Sequence, residues 1–301
     1  MRCTALLLVA LLAGCAAPPP ATKLSVVVSF YPLYAFAKEV GGDRVDVRQL
    51  VPPGTSPHDY EPKPSEAAAV RNARVFVYNG AGLEPWVPRL EAELPADAVR
   101  VEATRGLPLV EWSSEHGHSE DHGHQERVDP HVWLDPVLAQ RMVENVAEGL
   151  VQADPQGAAA YREREQGLRR RLQALHTRYA QTLKRCRSRV LITSHAAFGY
   201  LARRYGLRLE SVAGLTHEAE PSPRRLRELV GLARREGVRA VYAETLAGAR
   251  VVETLAQELG APLLVLDPLE GLSESDVQQG KNYFSVMEDN LQQLAAGLGC
   301  R

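Results

Sequence analysis

Short β-branched runs alternate with helix-spaced segments along most of the chain. Leu24 to Ser29 (LSVVVS) is a short β-branched run, as a strand is, and Tyr31 to Val40 then carries helical spacing ended by Gly41-Gly42. Val45 to Val51 alternates apolar and polar and predicts a second strand, followed by the Pro-Gly loop 52–57. A helix over Lys63 to Asn72, a strand over Ala73 to Tyr78 and a helix over Glu84 to Leu94 continue the series. Strands alternating with helices imply βαβ units and parallel pairing.

The segment 113–128 interrupts this order, and Pro136 to Gln152 is again helical by pattern. From Asp154 to about Cys186 the chain is highly charged. Its apolar positions Leu168, Leu172, Leu175, Tyr179 and Leu183 are spaced by threes and fours, a single stripe with Arg and Glu on the other face. A helix of about 30 residues spans about 45 Å, longer than one small domain requires. It is expected to run along two lobes and join them.

Alternation then restarts. Strands are predicted over Val190 to Thr193, Leu207 to Val212, Ala240 to Ala243 and Leu263 to Leu266. The intervening helices cover Ala196 to Tyr205, Pro223 to Arg235 (with Ser222 as N-cap), Arg250 to Leu259 and finally Lys281 to Leu298. The fold class is therefore α/β, with a first lobe over 24–153, a linking helix over 154–186 and a second lobe over 187–301.

Composition adds three constraints. The chain of 301 residues, 45 % hydrophobic and 24 % charged, can bury a sizeable core. A net charge of -2 carries no basic excess, which argues against nucleic acid as a partner. The N-terminus, MRCTALLLVALLAGCAAPPP, places one Arg before an apolar run too short to span a bilayer, as export signals do. Leu12-Ala13-Gly14-Cys15 resembles a bacterial lipobox, in which Cys15 would be lipidated and residues 16–23 would form a tether. The competing reading is an ordinary signal peptide cut near Ala16-Ala17. An exported chain retains Cys186 and Cys300, which in an oxidising compartment form a disulfide more readily than two lone thiols.

Histidine is the residue whose placement carries chemistry. HGHSEDHGH, at 116–124, sets His116, His118, His122 and His124 among Gly, Ser and acids, a run that cannot fold into a rigid cage by itself. His58 in PPGTSPHDYEP, His131 in DPHVWLDP and His195 closing VLITSH each stand just past a strand or a stiff loop. Asp267, after LLVL, occupies the same kind of place. Ligands of parallel α/β sheets bind beyond the carboxyl ends of strands. Three imidazoles and one carboxylate, two from each lobe, would make a four-ligand site for Zn²⁺.

PHDYEP, DPHVWLDP, SHAAFGYLARRYGL and KNYFSVMEDNLQQLAAGLG resemble the cluster A-I (cluster 9) metal-binding proteins of ABC importers, above all the zinc branch. The resemblance implies two (β/α)4-like domains joined by a rigid helix, with metal in the interdomain cleft. It places the ligands on His58, His131, His195 and Asp267. It further implies delivery to a membrane permease by a monomeric, non-enzymatic binding protein at the cell surface or in the periplasm. Manganese members usually carry a glutamate where His195 stands, so the nitrogen-rich set favours Zn²⁺ over Mn²⁺. The 116–124 histidines fit an accessory, exchangeable site, against the alternative of a plain solvated loop. Trp133 and Tyr60 are expected to pack about the site, Glu244 to stand either behind it or apart, His176 to face solvent, and His217 to face solvent or else to lie close to the cleft. A zinc hydrolase would need an open fourth position, and nothing here resembles HExxH. An adhesin, known among relatives, is the other alternative class.

Overall fold

The computed structural model describes residues 23–112, 127–215, 222–245 and 250–301. The first sheet is built from β1 (Leu24–Val28), β2 (Val45–Gln49), β3 (Val75–Tyr78) and β4 (Val99–Glu102), all parallel, in the order β2-β1-β3-β4. Helices α1 (Tyr31–Gly41), α2 (Pro64–Arg71) and α3 (Val87–Glu91) connect its strands. Val26, Val27 and Val28 are buried on both faces, as a central parallel strand requires. A two-stranded antiparallel pair, β5 (Glu111–Trp112) with β6 (Arg127–Val128), brackets the His-rich segment. The loop histidines 116, 118, 122 and 124 lie outside the described residues, as do Cys15 and His217.

Two long helices follow. Asp135 starts α4 (Pro136–Ala153) by accepting the Val137 N–H at 2.9 Å, with proline at the first helical position. Helix α5 (Ala158–Leu183) has 26 residues, hence a length of about 39 Å. Its buried face is Tyr161, Glu165, Leu168, Leu172, Leu175, Tyr179 and Leu183, the stripe read from the sequence together with Tyr161 and Glu165. It begins four residues later than its pattern suggested, because Asp154 caps a separate short turn by accepting the Gly157 N–H.

The second sheet comprises β7 (Val190–Thr193), β8 (Arg208–Ser211), β9 (Val241–Glu244) and β10 (Leu263–Leu266), parallel, in the order β10-β9-β7-β8. Helices α6 (Gly199–Arg204), α7 (Pro223–Glu236), α8 (Arg250–Leu259), α9 (Glu274–Gln278) and α10 (Tyr283–Leu298) complete this lobe. Helix α5 packs on α1 and α4 of the first lobe and on α10 of the second. One hydrophobic core runs from β1 and α1 through α5 to α10, and a smaller one lies between the second sheet and α7 and α8.

Three differences from the sequence reading have local causes. Helix α3 is shorter than expected because Glu84 turns inward, accepting from Ser29 Oγ (2.6 Å) and the Asn79 N–H (2.8 Å). Helix α6 starts at Gly199 because the Ala196 N–H donates to Gly214 O at 2.8 Å and keeps residues 196–198 out of the helix. Strand β4, VRVE, went unread because only two of its four residues are apolar, as suits a strand at a sheet edge.

Cys186 and Cys300 form a disulfide across 114 residues of chain. It joins the segments that follow α5 and α10, which also share hydrogen bonds from the Arg187 and Ser188 N–H groups to Leu298 O. Closing a loop of this length restricts the unfolded chain most. Replacing both cysteines by serine is expected to lower unfolding free energy by about 2–5 kcal/mol in guanidinium titrations, with helix content kept.

Candidate metal centre

Each functional side chain stands where regular structure stops. His58 lies in the loop after β2. His131 precedes the 3-10 turn Val132–Leu134, held there by the two flanking Asp-Pro pairs. His195 follows β7 by two residues, and Thr193 Oγ1 fixes it by donating to His195 O at 2.6 Å. Glu270 follows β10 in the sequence DPLEGL. Strands of both sheets thus deliver their ends to one cleft.

The four side chains converge. One ligand atom from each of His58, His131, His195 and Glu270 can be chosen so that all lie within 4.8 Å of one another. His58 Nε2 and His131 Nε2 are 3.1 Å apart, and each is 3.6 Å from Glu270 Oε1. His195 Nε2 lies 3.1 Å from the same oxygen. A tetrahedral Zn²⁺ with bonds of about 2.0–2.1 Å sets its ligand atoms about 3.3 Å apart, so these separations fit one such ion. The side chains of His131, His195 and Glu270 are fully buried, whereas that of His58 keeps 5 % of its surface exposed. His58 is therefore the member of the cluster on the solvent side.

A ring of acceptors fixes the imidazoles. Asp129 Oδ1 lies 2.8 Å from His131 Nδ1 and also accepts the His131 N–H. Glu244 pairs with His195 Nδ1 and accepts the His195 N–H at 2.9 Å. A carboxylate only accepts, so both rings carry a proton on Nδ1 and aim Nε2 at the cleft. Ser56 Oγ donates to Glu270 Oε2 at 2.9 Å, leaving Oε1 to face the imidazoles.

This environment favours positive charge. For His195, burial lowers the pKa, but the charge and hydrogen bond of Glu244, with Glu270, outweigh it and push it up to about 10. His131 is raised in the same way, burial being overcome by Asp129 and Glu270. His58 is lowered, chiefly by burial, and so stays neutral. Three carboxylates about three imidazoles form a site suited to a cation.

The structure corrects the carboxylate taken from the sequence. Asp267 is not in the cluster; its Oδ1 turns back to accept the Leu269 N–H at 2.7 Å. Burial raises its pKa to about 6. Leu269 then reverses the chain, and Glu270, longer by one methylene, reaches the imidazoles instead. DPLEGL holds two acids, and only the intervening turn decides between them.

The remaining expectations divide. Trp133 is fully buried, with its ring 5.3 Å from that of His131. Tyr60 is buried against Trp86. Glu244 stands directly behind His195. His176 does not simply face solvent: it is half-buried, stacks on Tyr205 and lies 3.2 Å from its hydroxyl. Asp129 was missed, although its place two residues before His131 suits a ring-orienting acid.

Known proteins resemble this chain over most of its length. The family described as ZnuA, zinc-uptake complex component A periplasmic, matches residues 26–297. The high-affinity zinc uptake system protein ZnuA of Bacillus subtilis is 40 % identical over 92 % of this chain and 88 % of its own length. The zinc-binding lipoprotein AdcA of Streptococcus pneumoniae is 39 % identical over 90 % of this chain, which spans only 55 % of AdcA. The crystal structure of the Zn(II)-bound ZnuA-like domain of that AdcA superposes with a TM-score of 0.78 at 36 % identity, covering 92 % of this chain and 99 % of the domain. The chain belongs to the ZnuA family of periplasmic zinc-uptake components, which are solute-binding proteins and not enzymes.

Proposed function

We propose that this chain captures Zn²⁺ outside the cytoplasm and hands it to the membrane permease of an ABC importer. The observation that carries this reading is the convergence of three imidazole nitrogens and Glu270 Oε1 in a buried cleft. His58, His131, His195 and Glu270 are the proposed ligands. Three nitrogens and one carboxylate in a dry four-donor site suit Zn²⁺ better than Mn²⁺, which prefers more oxygens. Asp129 and Glu244 support the reading, since zinc-bound histidines normally donate their second N–H to such acceptors.

No helix among the described residues is long and apolar enough to cross a membrane. Lipid on Cys15 would hold the protein, as a monomer, beside its permease. The histidines of 116–124 would collect zinc and pass it on, entering on the side of His58.

In competitive titrations, the intact chain and a form lacking 116–124 are each expected to bind one Zn²⁺ tightly, and both in preference to Mn²⁺. His131→Ala should weaken binding by at least about 100-fold, since it removes a ligand and leaves Asp129 without its partner. Tight binding that survived His131→Ala but vanished with the loop would move the site to the loop.

Zinc must also displace protons. His131 and His195 have raised pKa values, so each is protonated below its pKa and competes with the metal there. Affinity is therefore expected to rise with pH from 5 to 8. Calorimetry at pH 7 in buffers of different ionisation enthalpy should report release of about one to two protons per ion.

A further inference from the structure

The Glu270 loop contains a residue in a conformation that side chains rarely adopt. Leu269 has φ 55°, yet it is a γ-branched residue fully buried in the main core. Contacts from several elements hold it there. Asp267 Oδ1 accepts the Leu269 N–H, and Asn290 of α10 clamps the Asp267 backbone from both sides, accepting its N–H at 2.8 Å and donating to its carbonyl at 2.7 Å. The first lobe reaches across as well. Trp133 Nε1 donates to Pro268 O at 2.7 Å, and the Gly54 N–H donates to Leu272 O at 3.0 Å. Tyr283 of α10 returns the contact by donating to Trp133 O at 2.5 Å.

Asp267, Pro268 and Leu272 are thus tied either to α10 or to the loops that carry His58 and His131. Glu270 sits at the apex. Its side chain can meet the imidazoles only while Leu269 keeps its left-handed turn, and two of the contacts holding the loop come from the opposite lobe.

We propose that Asp267 and Trp133 are positioning residues for the zinc site, which hold the strained Leu269 turn so that Glu270 is aimed at the ion only while the two lobes are together. The inference rests on the reading of Glu270 as a ligand. Parting of the lobes would break the Trp133 and Gly54 bonds, free the turn to relax and draw Glu270 away. Release would then begin with the carboxylate, not with the imidazoles.

The test is the rate at which the zinc-loaded chain yields Zn²⁺ to excess chromophoric chelator, with the melting temperature of the metal-free chain as a check on folding. Glu270→Gln and Asp267→Ala are both expected to speed release by about 10–100-fold. Asp267→Asn should restore release to near the parent rate, because its amide oxygen still accepts the Leu269 N–H. Trp133→Phe, which keeps the ring and loses one hydrogen bond, should speed release about five-fold. This variant decides the matter if Asp267→Ala does not fold. Parent-like release from Glu270→Gln would overturn the ligand reading itself. Fast release from Glu270→Gln with parent-like rates from Asp267→Ala and Trp133→Phe would overturn the positioning inference alone. It would also fall if Asp267→Asn released as fast as Asp267→Ala, since the charge of Asp267 would then be what holds the ion.

Discussion

The structure is organised by the cost of burying charge. Glu270, His131 and His195 are removed from water entirely, with Asp129 and Glu244 almost so. A cluster of acids and imidazoles in such a place is tolerable only if protons or a cation balance it. In the absence of metal, protons held on His131 and His195 do so. A divalent ion does it better, because it replaces several weak partners with one charge at the centre. The Asp-Pro pairs, the Thr193 bond and the serine behind Glu270 all serve to keep donors pointed at that centre.

Much of the fold was legible in the sequence because its periodicities are strong. Val26 to Val28 read as part of a β-branched strand, and the stripe from Leu168 to Leu183 as one face of a long helix. Places where a side chain overrides local pattern were not legible. Glu84 belongs by pattern to a helix, yet it is spent on Ser29 and Asn79, and the helix loses a turn. At the site, the three histidines could be named because each ends a strand or sits between prolines. The carboxylate of the cluster could not, since choosing between Asp267 and Glu270 depends on the backbone angle of Leu269, which a leucine does not advertise.

The cleft is asymmetric. His131 and His195 are each braced by an acid, whereas His58 is the neutral ring at the open side, carried on a Pro-Gly loop. An arriving ion meets first the ligand that has no proton to lose, and the braced histidines give up theirs as it settles.

The hydrophobic core that passes through α5 without a break has a consequence for the cell envelope. Two lobes that share most of one core are expected to melt together, so an ion bound in the cleft would protect residues far from it. By mass action, stabilisation grows with the logarithm of free zinc above the dissociation constant. Zinc scarcity would therefore leave the whole chain more open to envelope proteases.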